Sequence, residues 1–342
     1  MVSRNLSIFL LLTFTVLFLL STFLKENNLE TSTVKGSVMG TTYTVSIRSK
    51  IAQDTSIDND VFNILNSINL DMSTYLEDSI ISKVNQSQIN NWINVDKDFI
   101  EVLDYAKELC KKTNGIYDVT IGKMVDLWGF GSKEISGIPS EKEINYLKKQ
   151  VGCNSIDIDK KQNLIKRNKD IALDFSSIAK GYAIDKLYDH LLKQKNILNF
   201  FIELGGEVRS TKFKEDIEPW KIGIINPLKP EKLIHTFYSD KYDSFAMATS
   251  GDYRNIRVFG LKQLSHTINV KTGTPNNEAK KSVSVIADNA MKADAMATAL
   301  NAMKLETAIK YTEKHKIKAL FIFEDKGKAK LIFSKELQKV KM

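Results

Sequence analysis

Hydrophobic positions recur along this chain with two periods, and the switches between them mark its elements. Around Tyr43, Val45 and Ile47 apolar and polar residues alternate, the period of a half-buried strand within residues 36–48. Over residues 58–72, Val61, Ile64, Leu65, Ile68 and Leu70 fall at helical spacing, and an exposed loop is expected after Ser73. A second amphipathic helix spans 99–112 and stops at Thr113-Asn114-Gly115. Ser140 with Glu143 three residues on reads as a capping box for a short helix reaching about Val151. Strands are predicted near Ile156 and Ile165, over 199–204, 219–224 and 282–287, and as a terminal hairpin over 319–323 and 329–333, with a helix at 307–314 before it. Ala248 to Arg254 reads as a loop after alternation around Phe237 and Phe245. Helices and strands do not alternate as regular βαβ units, so the fold class is α+β.

Two stretches carry candidate chemistry. Residues 289–300, NAMKADAMATAL, contain no Gly or Pro and predict a helix. Asp294 and Thr298 stand four apart on it, stacking a carboxylate and a hydroxyl on one face over Ala neighbours small enough to let another segment come close. Such a pair can hold a hard cation, because Mg2+ takes oxygen ligands and keeps waters or phosphates in its other positions. The plain alternative is a solvated Asp and a Thr bonded back to its own helix. The second stretch, DFSSIAKGYA at 174–183, predicts strand, turn and a helix running to about Lys193, whose first N–H groups favour an anion.

The front of the chain differs in kind. Arg4 precedes the uncharged run IFLLLTFTVLFLLSTFL at 8–24, and Lys25 and Glu26 follow it. A run of that length is an export signal or a membrane anchor; with no A-x-A site after it, an uncleaved anchor is the expectation. That places the remainder on the periplasmic or extracellular side of the inner (cell) membrane. Residues 27–35 read as a polar tether. Cys110 and Cys153 are too few for a disulfide framework and too far apart for a C-x-x-C site, and are expected to be buried small side chains. The formal charge of +8 arises from lysines spread among Glu and Asp, a solvated surface. Without zinc-finger spacing or a basic block with interleaved aromatics, nucleic acid is not an expected partner.

Taken in order, the segments VMGTTYTV, MSTYLEDSIISKVN, GIYDVTIGKMVDLWGFG, DFSSIAKGYAID, ELGGEVR, PWKIGI, ATSGDYRN, SHTINVKTGTP and SVIADNAMKADAMATAL, from residue 38 to about 304, resemble the ApbE family, the FAD:protein FMN transferases. The resemblance implies a single α+β catalytic domain of the ApbE type, related to the T-fold, over residues 36–342 after the membrane segment. It implies a Mg2+-requiring enzyme that splits FAD, moves FMN onto a Thr or Ser hydroxyl of a target protein through a phosphodiester, and releases AMP. By the family pattern Asp294, Thr298 and the backbone carbonyl of Ser177 hold the ion. Met39, Tyr75, Ile116, Tyr117, Asp118, Asp174, Lys180, His266 and Ile268 match its FAD-contacting positions.

Asp174, Lys180 and His266 are the catalytic candidates: Lys180 as a point charge on a phosphate, His266 as the group that takes the hydroxyl proton near neutral pH. Without the resemblance Met39 reads as a core residue, Tyr75 as an exposed loop Tyr, Lys180 as a solvated Lys and His266 as a structural or surface His. The chain has Ser176-Ser177 where many relatives have two glycines, and Gly205-Gly206-Glu207 for the family's Gly-Gly-Asp. Two other readings stay open, an FAD pyrophosphatase yielding FMN and AMP and a flavin-binding protein without turnover; a Tyr at position 75 stacked on the cofactor shields the pyrophosphate and favours transfer. The expected partners are FAD, the membrane through residues 1–26, and extracytoplasmic flavin-accepting domains such as subunits of ion-pumping or electron-transfer complexes.

Overall fold

The alternating stretch around Tyr43 is one half of a hairpin. In the computed structural model, strand β1 (Glu30–Val38) pairs antiparallel with β2 (Thr41–Ser49), from Glu30 opposite Ser49 to Val38 opposite Thr41. Residues 30–35, expected as tether, are therefore strand. Their Thr and Val suit an edge position, and Val34 and Val38 supply its buried side chains. Between the strands Met39 and Gly40 take φ of 53° and 71°, the paired left-handed residues of a tight hairpin turn. A Met in that region carries strain that Gly does not.

The structure describes residues 30–49, 56–132, 137–195, 197–211, 218–242, 245–251, 256–259, 262–276 and 280–340. The apolar run at 8–24 and the Asp252-Tyr253-Arg254-Asn255 part of ATSGDYRN lie outside them. Among the described residues no helix is long and apolar enough to cross a membrane.

After β2 come α1 (Ser56–Met72), α2 (Ile80–Gln86), β3 (Trp92–Asn94), α3 (Lys97–Lys112), α4 (Gly122–Leu127), α5 (Glu141–Lys148), β4 (Ile156–Asp159), β5 (Leu164–Arg167) and α6 (Ala179–Asp189). Then follow β6 (Phe200–Leu204), β7 (Glu207–Ser210), β8 (Lys221–Asn226), β9 (Lys229–Tyr238), β10 (Phe245–Gly251), β11 (Ile256–Phe259), β12 (Lys262–Ser265), β13 (Ile268–Asn269), β14 (Thr274–Pro275) and β15 (Lys280–Ala287). The chain closes with α7 (Ala290–Ala302), α8 (Leu305–His315), β16 (Lys318–Asp325), β17 (Lys328–Phe333) and α9 (Lys335–Gln338). An eight-stranded sheet in the order β1-β2-β6-β7-β10-β15-β16-β17 organises these elements, and its neighbours run antiparallel. The mixed α+β class is the one the pattern predicts.

Alternation sorts the sheet onto two faces. Val45, Ile47, Phe200, Ile202 and Leu204 enter a core shared with buried residues of α1, α3, α6 and α7. On the other face Phe201, Val208, Met247 and Ile286 are covered by Ile222 and Ile224 of β8 and Phe237 of β9. Helix α7 packs against both α6 and the sheet, so it is buried around its circumference and needs the small Ala290, Ala293, Ala295, Ala297 and Ala299. Gly181 of α6 comes so near that a Cβ there would meet the Ala290 carbonyl oxygen at 2.4 Å. At the start of α7 the Asn289 side chain accepts the Lys292 N–H, and the Asp185 carboxylate of α6 accepts those of Ala290 and Met291, all at 2.9 Å. Arg209 pairs with Asp185 at 2.7 Å and stacks 3.7 Å above the Tyr188 ring. These contacts set the register of α7 against α6.

The capping box forms as read, with the Glu143 N–H donating to Ser140 Oγ and the Ser140 N–H to the Glu143 carboxylate. Cys110 and Cys153 are bonded to each other, which corrects the expectation of two separate buried side chains. Their 43-residue separation concealed the pairing, because the end of α3 and the loop after α5 meet only in the tertiary fold.

Candidate active site

The amino end of α6 faces the middle of α7, and the first candidate chemistry arises there. Asp294 is buried at 4% exposure, and its Oδ2 accepts the Gly181 N–H at 3.1 Å. In a regular helix that N–H would bond the carbonyl four residues back, which is that of Ser177. No backbone N–H among the described residues donates to the Ser177 carbonyl, so the Asp294 contact spares that oxygen. The Ser177 hydroxyl donates instead to the Tyr117 phenol oxygen at 3.0 Å. Thr298, one turn beyond Asp294, lines the same cleft.

One cation stands among several acidic groups at this corner. The Lys180 ammonium lies 3.5 Å from the Glu207 carboxylate and donates to the Ser176 carbonyl at 3.3 Å. Burial favours its neutral amine, but Glu207 and Asp294 outweigh burial and hold it charged well above the usual lysine range. Burial raises the carboxyls of Asp294 and Glu207, and Lys180 opposes the rise in both. Glu207 Oε2 is buried with no hydrogen-bond partner among the described residues. Asp174 also acts on Lys180, so one ammonium serves three carboxylates. Two carboxyls that burial keeps from ionising, an unpartnered carboxyl oxygen, a spared carbonyl and a hydroxyl form a donor set suited to a hard divalent cation, whose charge would hold those carboxyls ionised. Among the described residues no three His, Cys, Asp or Glu side chains are grouped to hold a metal by themselves. The expected set, with one carboxylate, one hydroxyl and one carbonyl, does not require such a group.

The remaining walls come from distant segments. Asp174 Oδ1 accepts the Ser176 N–H at 2.7 Å, bending the chain into α6; the strand expected before it is reduced to one bridge between Ala172 and Ile121. Tyr75, 67% exposed, donates its hydroxyl to the Phe130 carbonyl at 3.2 Å and so spans the loops after α1 and α4. Asp118 Oδ1 accepts the Thr120 N–H at 2.9 Å, whereas its buried Oδ2 has no hydrogen-bond partner among the described residues; burial raises this carboxyl. Burial also keeps the Tyr117 phenol protonated. The His266 ring meets Phe130 edge-on with centroids 6.4 Å apart, and Ile268 is buried on β13. Together with Met39 and Ile116, all of the residues singled out from the sequence line one cleft of about 750 Å3.

The cleft also contains residues that the sequence left unmarked. Thr249 and Ser250 belong to β10, which pairs with β15 as far as Gly251 opposite Ser282, where a loop was expected. The run is small and polar and carries no hydrophobic alternation, and Thr249 Oγ1 shares a hydrogen bond with Ser284 Oγ at 2.8 Å. Arg257 of β11 reaches the cleft and acts on the Tyr75 phenol, opposing the rise that burial and Asp174 impose. A single Arg on a four-residue strand gives no periodic mark.

The sequence model of the ApbE family matches residues 39–321. The chain belongs to the ApbE family. The FAD:protein FMN transferase of Haemophilus influenzae is 35% identical over 274 residues, covering 78% of each chain. That of Vibrio cholerae is 33% identical over 268 residues, covering 78% of this chain and 79% of the relative. Among solved structures, the flavin transferase ApbE from Vibrio cholerae superposes with a TM-score of 0.81 at 30% identity, over 91% of this chain and 99% of that one. The Pseudomonas stutzeri flavinyl transferase ApbE gives 0.82 at 26% identity, over 91% and 97%. This ApbE-family chain is an enzyme of the transferase class.

Proposed function

We propose that this ApbE-family chain is an FAD:protein FMN transferase that uses Mg2+, joins FMN to a threonine or serine hydroxyl of a target protein through a phosphodiester, and releases AMP. The observation that carries the reading is that Asp294, the spared Ser177 carbonyl and Thr298 share one cleft with Lys180 and His266. Bound by those three oxygens, Mg2+ would supply charge neutralisation on the pyrophosphate. The Lys180 ammonium pairs with a phosphate oxygen as a second positive charge. The acceptor hydroxyl oxygen attacks the phosphorus on the FMN side, the bond from that phosphorus to the AMP oxygen breaks, His266 takes the hydroxyl proton, and AMP leaves. Asp118 Oδ2 offers the nucleotide a buried oxygen with no hydrogen-bond partner among the described residues. Tyr75, tied to the Phe130 carbonyl, limits water at the pyrophosphate and favours transfer over hydrolysis.

We further infer that the enzyme works outside the inner membrane, held there by residues 1–26, on exported FAD and on extracytoplasmic domains of redox complexes. The Cys110–Cys153 disulfide supports an oxidising compartment. The test is the intact mass of a threonine-bearing acceptor domain incubated with the enzyme, FAD and Mg2+, with an EDTA control. A gain of one FMN, abolished by EDTA, is expected. Accumulation of FMN and AMP on an unmodified acceptor would make the protein a pyrophosphatase, and FAD bound without cleavage would make it a carrier.

A further inference from the structure

A second cavity, about 420 Å3, lies on the face of the main sheet opposite α6 and α7, between the sheet and β8. Phe201 and Glu203 line it, whereas the alternate Ile202 and Leu204 point into the helical core. Its opposite wall is residues 221–225 of β8. Three residues, Thr41 at the start of β2, Gly205 just after β6 and Thr249 within β10, line both this groove and the cleft of about 750 Å3. The groove and the cleft therefore adjoin across that rim.

Strand β8 pairs with β9 on one side, and no strand pairs with its other edge among the described residues. An unpaired edge presents main-chain N–H and C=O groups to an extended segment and binds it with little demand on sequence. Transfer to a protein requires the acceptor's main chain to pass over the rim of the cleft while its hydroxyl reaches inside. Resting on the transfer reaction proposed above, we infer that the groove between β8 and the sheet is the docking site for the extended segment of the acceptor protein that adjoins its threonine or serine. The β8 edge holds the main chain, and the Thr41–Gly205–Thr249 rim is where the segment turns into the cleft.

Thr42 tests this. It is exposed, lines the groove but not the cleft, pairs with Ser37 of β1, and accepts the Gly205 N–H on its carbonyl at 3.1 Å. Thr42→Trp fills the groove and leaves that hydrogen bond in place. With an acceptor domain that the Vibrio cholerae relative flavinylates as the probe, Thr42→Trp should raise the acceptor KM by about tenfold or more, while FAD affinity read by flavin fluorescence stays within about twofold. In the wild type, amide exchange over 221–226 should slow when the acceptor is added. Normal wild-type transfer with an unchanged KM in folded Thr42→Trp, or with no protection of β8, overturns the groove alone. Absence of transfer by the wild type overturns the reaction and the groove with it.

Discussion

Asp294 owes its place to burial as much as to its carboxylate. One oxygen is committed to the Gly181 N–H, so the side chain is oriented before any ligand arrives, and removing it deletes the anion without breaking a helix. Asp294→Ala should lower FMN transfer about 10³-fold, measured by intact mass, while FAD binding changes far less. A wild-type rate in that variant would dismiss the metal corner. His266→Ala should keep Mg2+ affinity by calorimetry and slow transfer about 10² to 10⁴-fold near neutral pH. An unchanged rate would assign His266 a structural role, such as its ring contact with Phe130.

Among the elements, α6 and α7 form the tightest junction. Because a Cβ on Gly181 would meet backbone rather than a flexible side chain, the two helices must separate to admit one. Gly181→Ala should cost about 1–3 kcal/mol in thermal or urea unfolding, and full stability would mean that the junction gives way. A second element-scale effect is electrostatic. Asp71 in the last turn of α1 is pushed up to about 6, first by burial and then by Asp96 and Asp98 at the start of α3. The folded state thus takes up this proton at a higher pH than the unfolded chain, whose value is 3.8. Its contribution is fully present below the unfolded value and is lost as pH rises through about 6. Asp71→Asn should therefore stabilise the protein at pH 7 by about 1 kcal/mol after allowance for solvent screening, with no gain near pH 4. Equal stabilisation at both values would refute the charge argument.

At the scale of the molecule, the disulfide ties the end of α3 to the loop after α5, and Ile116, Tyr117 and Asp118 of the cleft follow Cys110 by six to eight residues. Closing a loop of that size stabilises by about 4 kcal/mol in the chain-entropy picture. Reduction, or Cys153→Ser, should lower the urea midpoint accordingly, and an unaffected midpoint would show that packing alone holds this wall. The sequence by itself determined the amphipathic helices, the capping box, the Asp294–Thr298 spacing and the ordered motifs that name the family, because each is a property of residues close in the chain. It marked β10 as a loop beyond Ala248 and residues 30–35 as tether, because small polar strands and edge strands carry little hydrophobic signal. Tertiary structure alone decided that Gly181 would donate to Asp294 and spare the Ser177 carbonyl, that Lys180 would stand among three carboxylates, and that Cys110 would meet Cys153. Apart from Asp174, six positions before Lys180, those relations join residues tens to more than a hundred positions apart, and only a packed core fixes such distances.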